Sequence, residues 1–329
     1  MSIETGFCMS NLRSTTMIGV SCALLASVAF TLNDVGIKLL SGDYALHQIV
    51  FFRTLVALSV TVAVIIPLEG GFHLLKTTQI KMHVFRGLAV VFANMVFFMG
   101  LAALPLSEAT AIFFISPLVI TLFSVIFLHE QVRIQRWIAV VAGLVGAAII
   151  MRPGTDAFQI AAILPALAAI AYATLHMLTR YMGRIEKAST MAFYTHVVFL
   201  VVSLTIGLAA GDGRFANASH PSIEFLTREW IMPPMQDLLV MGAVGLASAA
   251  GGYAITQAYR LCEAALIAPF EYFALILALF WGITIFGEWP DIWAWTGISM
   301  ILVSGLFVLW RERVLKKRLA SERPMPRHR

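Results

Sequence analysis

Apolar and polar residues alternate along this chain on the scale of whole segments rather than single turns. Ten apolar runs, near 17–40, 47–68, 83–104, 107–128, 135–151, 157–181, 189–210, 237–260, 264–286 and 292–310, are parted by short polar stretches. Each runs for about 17 to 25 residues, the length of helix that crosses the hydrocarbon core of a bilayer. The pattern predicts an all-α integral membrane protein with ten transmembrane helices. The first run has no small-residue cleavage site after it and reads as a retained span.

The runs are duplicated. Ser107–Trp137 returns in degenerate form as Cys262–Trp295, each copy reading apolar span, short turn with Glu (Glu130, Glu288), then Trp. Residues 24–40 lie on 166–182, which pairs Lys38 with Arg180, and 50–54 lie on 192–196. Five spans per copy is an odd number, so equivalent helices cross in opposite directions, an inverted-topology repeat of the kind that places a carrier's substrate site between its halves. The expected organisation is a cytoplasmic segment 1–16, a first five-helix repeat 17–154, a second 155–310 and a basic cytoplasmic tail 311–329. Loop 211–236 reads as an external connector whose EFLTREWIMPP segment either lies on the membrane surface or simply links two spans; it contains the sequon Asn217-Ala218-Ser219.

Composition agrees. The chain is 60% hydrophobic and 12% charged, with mean hydropathy +0.86, about half the charge usual for a soluble domain. Its net charge of +5 does not point to nucleic acid, because eight of the 23 Lys and Arg lie in the tail after Trp310. One alternating set of loops and tails, counting Arg86 in loop 69–86, holds 18 Lys and Arg against 4 in the other, which predicts that both termini are cytoplasmic. Cys8, Cys22 and Cys262 form no CxxC or Cys/His spacing, and there is no phosphate-binding loop, dinucleotide fingerprint or HExxH. Disulfide frameworks, zinc chemistry, nucleotide hydrolysis and a resident cofactor are therefore not expected.

Polar residues inside spans carry the functional signal, since an ionised group at a helix centre costs about 2.5–3.5 kcal/mol on insertion scales. Asn33, Asp34 and Lys38 form N-D-x-x-x-K in the first span, with Asp34 and Lys38 on one face and able to pair. Arg53 lies at similar depth in the second span, within reach of Asp34. It either ties two helices together or meets a substrate. His176 stands where Asp34 does in the other half, and Glu271 lies at comparable depth in the ninth span, as a helix-pairing acid or a proton-coupling one. Asn94, Tyr253 and Gln257 supply uncharged polar groups that suit either an organic ligand or helix-to-helix hydrogen bonds. The small residues 247–252 read as packing, and Glu108 and Glu263 as helix N-terminal acids.

These segments, TLNDVGIK, IVFFR, HVFRG, L-H-E (128–130), F-G-E (286–288) and the following Trp, resemble the drug/metabolite transporter superfamily, in its bacterial ten-helix branch with two EamA-type repeats. The resemblance implies an inner-membrane carrier working by alternating access on a bulky metabolite. Riboflavin is the first candidate, with S-adenosylmethionine, amino acids or other metabolites, and export, as alternatives. A coupled proton, a monomer or homodimer, and no nucleic-acid partner complete the expectation. An intramembrane enzyme or a channel is the competing class. The second half departs from the first in having no proline opposite Pro117 and in placing Thr195 opposite Arg53.

Overall fold

The computed structural model describes residues 2–128, 134–153, 159–183, 185–216, 220–262, 267 and 270–322. Glu130, Glu263 and the sequon lie outside them. Every regular element among the described residues is helical. In chain order these are α1 (Ser2–Leu40), α2 (Leu46–Val60), a π-helical turn Thr61–Ile65, α3 (Ile66–Glu69), α4 (Ile80–Leu101), α5 (Leu106–Phe113), α6 (Ser116–Leu128) and α7 (Ile134–Met151). There follow α8 (Ile163–Met182), α9 (Ala188–Ala210), α10 (Pro221–Thr227), α11 (Met235–Leu261), α12 (Phe273–Phe286) and α13 (Ile292–Glu322). Among the described residues, six helices are long and apolar enough to cross a membrane, and four shorter apolar helices accompany them. The protein is an all-helical, multi-pass membrane protein.

Several boundaries differ from the expectation for physical reasons. The fourth run is not one helix but two, because Pro117 has no N–H to continue the ladder. The Phe114 N–H still bonds the Thr110 carbonyl at 3.0 Å, and the Leu118 N–H turns back to Ile115 at 2.9 Å. The second half breaks near the matching place, at Tyr272, without a proline there. Helix α1 begins at Ser2, so the segment before the first span is helical, and α13 carries the basic run beyond Trp310 as far as Glu322. Arg86, read as a loop residue, belongs to α4 and is 4% exposed.

Contacts between helices come in matched sets. Helix α1 packs along α11, and α8 along α4; α2 packs on α11, and α9 on α4; α12 packs on α1, and α5 and α6 on α8. Other principal pairs are α2 with α9, α5 with α12, α7 with α13 and α9 with α11.

Close approach depends on small side chains, as expected where lipid supplies no hydrophobic drive between helices. A Cβ on Gly245 of α11 would stand 2.6 Å from the Arg53 carbonyl oxygen, and one on Gly251 would stand 2.9 Å from the Phe30 ring. Large apolar side chains such as Leu25, Phe92, Leu144, Leu208 and Val303 face outward, while Arg53, Arg86 and Glu271 are buried. Exposed Trp293 and Trp310 on α13 are separated by about 26 Å along the axis, close to the spacing of two interfacial aromatic belts.

Candidate substrate site

Two small cavities lie at the centre, where the matched helices meet. The first, about 110 Å³, is lined by Asn33, Asp34, Arg53, Asn94, Thr110 and Glu271 among aromatic walls that include Phe30, Phe97, Phe113 and Tyr172. The second, about 90 Å³, is lined by Arg86, Thr195, His196 and Thr256 and shares Phe30, Asn94 and Tyr172 with the first. Each is well below the roughly 300 Å³ of a pocket that encloses a drug-sized ligand.

Arg53 is 2% exposed, roughly 10 Å from the start of α2. Its Nη1 donates to Asn33 Oδ1 and its Nη2 to Asn94 Oδ1, both at 2.9 Å. The Phe98 and Phe199 rings each lie 5.3 Å from its Cζ, and its buried Nε has no hydrogen-bond partner among the described residues. Asn33 also donates through Nδ2 to Asp34 Oδ1 at 3.1 Å. The expected contact of Asp34 with Arg53 is thus relayed by Asn33.

Lys38 does not pair with Asp34. Its Nζ donates to Glu288 Oε1 at 2.6 Å and to the Leu104 carbonyl at 2.8 Å, while Glu288 Oε2 accepts the Leu106 N–H at 2.8 Å. The turn that presents Glu288 is set by Gly287 at φ +67°, a conformation glycine adopts without steric cost. Lys38 and Glu288 therefore join α1, α5 and α12 away from the cavities.

Glu271 is 8% exposed and accepts hydrogen bonds from the Tyr172 hydroxyl at 2.7 Å and from the Tyr259 hydroxyl. The ring of His176 sits between these tyrosines, with centroids 4.1 Å from Tyr172 and 3.9 Å from Tyr259. His176 and Glu271 thus belong to one cluster, joined through tyrosines rather than directly, and His176 lines neither cavity. Tyr253 and Gln257 line neither cavity as well; Gln257 Oε1 accepts from Arg260 at 2.9 Å, in a group that includes Glu69, 3.8 Å from the same guanidinium.

The sequence reading missed Tyr172 and Arg86. Tyr172 precedes His176 by one helical turn, a spacing that placed both on one face. Arg86 was missed because it was counted with loop 69–86 although it falls inside the apolar run 83–104. Its four acceptors are Thr179 Oγ1 at 2.9 Å, Thr195 Oγ1 at 2.7 Å, the Met191 carbonyl at 3.2 Å and Thr256 Oγ1 at 3.3 Å, and none is a carboxylate. Gly251 serves packing as expected, but its neighbour Gly252 lines the second cavity. No group of three or more His, Cys, Asp or Glu among the described residues is arranged to hold a metal.

Residues 17–152 match the EamA-like transporter family. A riboflavin transporter of Vibrio cholerae is 30% identical over 300 residues, covering 88% of this chain and 92% of the relative. An S-adenosylmethionine uptake transporter of Rickettsia bellii is 27% identical over 305 residues, covering 93% and 98%. A solved crystal structure superposes with a TM-score of 0.64 at 18% identity, over 92% of this chain and 99% of the other; at that identity it speaks to the fold alone. The helical membrane architecture, the buried polar centre and these relatives converge on one conclusion: the chain belongs to the EamA-like transporter family, within the drug/metabolite transporter superfamily, and is a small-metabolite transporter rather than an enzyme.

Proposed function

We propose that this protein takes up a ring-bearing, zwitterionic metabolite across a bacterial inner membrane by alternating access, with S-adenosylmethionine ahead of riboflavin. The observation that carries this reading is a single aromatic-walled cavity lined both by Arg53, with an unused Nε–H, and by Glu271. A guanidinium favours a carboxylate, a carboxylate favours a cationic group, and aromatic faces favour a planar ring. S-Adenosylmethionine offers all three features. Riboflavin is the second reading, supported by the neutral groups Asn33, Asn94 and Thr110 on the same cavity, which match a flavin's hydrogen-bonding edges.

In this account ten helices cross the membrane as two inverted repeats, 17–154 and 155–310, with both termini cytoplasmic. The matched contacts between halves support the repeat, and the excess of Lys and Arg in one set of loops supports the orientation. The Lys38–Glu288 pair then lies at the outer end, and its separation admits substrate. Cavities this small require the helices to move apart before a metabolite enters. Glu271, hydrogen-bonded by two tyrosine hydroxyls among the described residues, is the group proposed to exchange a proton during transport.

Proteoliposomes of the full chain test the reading. Labelled S-adenosylmethionine should accumulate and exchange against unlabelled substrate inside, and riboflavin should compete weakly. Flux without counter-transport would instead indicate a channel, and riboflavin exchange without S-adenosylmethionine exchange would reverse the ranking.

A further inference from the structure

The second cavity has no assigned role, yet it is built like a ligand site. Arg86 brings a guanidinium into it on purely neutral acceptors, three threonine hydroxyls and one carbonyl. Such a group, taken out of water without a carboxylate beside it, keeps much of its attraction for an anion. His196 lines the same cavity, is 4% exposed, and its Nε2 has no hydrogen-bond partner among the described residues. A buried polar atom left in this state calls for an explanation, and a ligand that visits the cavity provides one.

The placement of Arg86 is informative. Thr195 occupies the position equivalent to Arg53 in the other half, so simple duplication leaves that half without its cation. Arg86 Nη1 donates to Thr195 Oγ1 at 2.7 Å, which restores a guanidinium there from a different helix. It lies roughly 9 Å from the start of α4, as Arg53 lies roughly 10 Å from the start of α2. The two helices begin at opposite faces if the proposed topology holds. Asn94, about 12 Å further along α4 than Arg86, bonds Arg53 and lines both cavities.

We infer that Arg86 and His196 form a second binding station on the cytoplasmic side, which receives the carboxylate of the substrate after Arg53 releases it, with Asn94 between the two. The inference rests on the proposed zwitterionic substrate and adds to it a second place where the same group is held. It makes Arg53 the residue that sets affinity from outside and Arg86 the one that sets affinity from inside.

The test is the half-saturating concentration of S-adenosylmethionine measured separately on each face of oriented proteoliposomes, for the wild type and for Arg86→Gln, His196→Leu and Arg53→Gln. Loss of a charge-assisted hydrogen bond predicts that Arg86→Gln weakens cytoplasmic-face affinity by about tenfold while the outer face changes by less than about twofold. His196→Leu should give a smaller loss on the same face, and Arg53→Gln the opposite asymmetry. A merely structural role for Arg86 would affect both faces alike, or neither, and either outcome overturns the station. If Arg86→Gln does not insert, His196→Leu decides: unchanged cytoplasmic-face affinity in that variant overturns the proposal. Wild-type protein that binds S-adenosylmethionine on neither face removes the substrate reading itself and the station with it.

Discussion

The pair α7 and α13 and the central group α1, α2, α4, α8 and α11 are both helix contacts inside one bundle, yet they differ in what they enclose. Between α7 and α13 the backbones nearly touch: a Cβ on Gly297 would stand 2.5 Å from the Gly146 carbonyl oxygen, and one on Gly146 would stand 2.9 Å from that of Gly297. The central helices also approach closely, as at Gly245 beside the Arg53 carbonyl, but they enclose long polar side chains, two guanidinium groups among them, several with unused hydrogen-bonding atoms. Tight apolar contact has one good arrangement and resists movement. A polar centre with spare donors can exchange partners, between water, protein and substrate, as the helices move. On the proposed alternating-access reading, the difference assigns rigidity to the rim and motion to the middle.

That contrast ranks the variants. Arg53→Ala should have the largest effect, reducing uptake by at least about 100-fold with normal membrane insertion, since it removes a buried charge-assisted ligand contact; initial-rate transport beside a surface-expression measurement checks it. Glu271→Gln keeps the shape and the acceptor for one tyrosine but cannot give up a proton and carries no charge, so uptake should lose its pH dependence and the cationic substrate should bind more weakly. An unaltered pH profile would take proton coupling away from Glu271.

At the rim, Gly297→Val should lower stability by about 1–3 kcal/mol through overpacking and leave the half-saturating concentration unchanged. Thermal unfolding in detergent, paired with transport kinetics, separates the two effects. The smallest effect is expected for Asp291→Asn. Asp291 caps the start of α13 by accepting the Ala294 N–H at 2.8 Å and pairs with Arg152, and these contacts, the backbone N–H foremost, hold its carboxyl below the usual range. A lowered native pKa contributes stability above the unfolded value and loses it as pH falls through the native one. The slight advantage of wild type over Asp291→Asn should therefore persist at neutral pH and vanish on acidification below the ordinary carboxylate range.

Much of the all-helical membrane fold was legible in the sequence because the lengths of the apolar runs are a local feature, whereas the division of the fourth run at Pro117 was not taken from it. The site was legible only in part. Arg53, Asp34, Asn33, Asn94 and Glu271 stood out as polar groups in apolar surroundings, and all line the first cavity. The partner of Lys38 did not, because Glu288 is 250 residues away and intrahelical spacing suggested the nearer Asp34. Tyr253 and Gln257 were polar at a suitable depth but point away from the cavities, a matter of helix rotation that the α11 sequence, small and apolar on several faces, does not fix. Arg86 was lost because it sits where loop 69–86 and the run 83–104 overlap and was counted with the loop, element boundaries being the least certain part of any reading from hydropathy.

Substrate protection tests the division between moving centre and fixed rim most directly. In a chain with Cys8, Cys22 and Cys262 replaced by Ser, a single cysteine is introduced either in the central cavity, Thr110→Cys, or beside the α7–α13 contact, Ser299→Cys, and reacted with a thiol reagent. Saturating S-adenosylmethionine should slow modification at the first position and leave the second unchanged. Equal rates with and without substrate at Thr110→Cys, in protein that transports, would contradict the account.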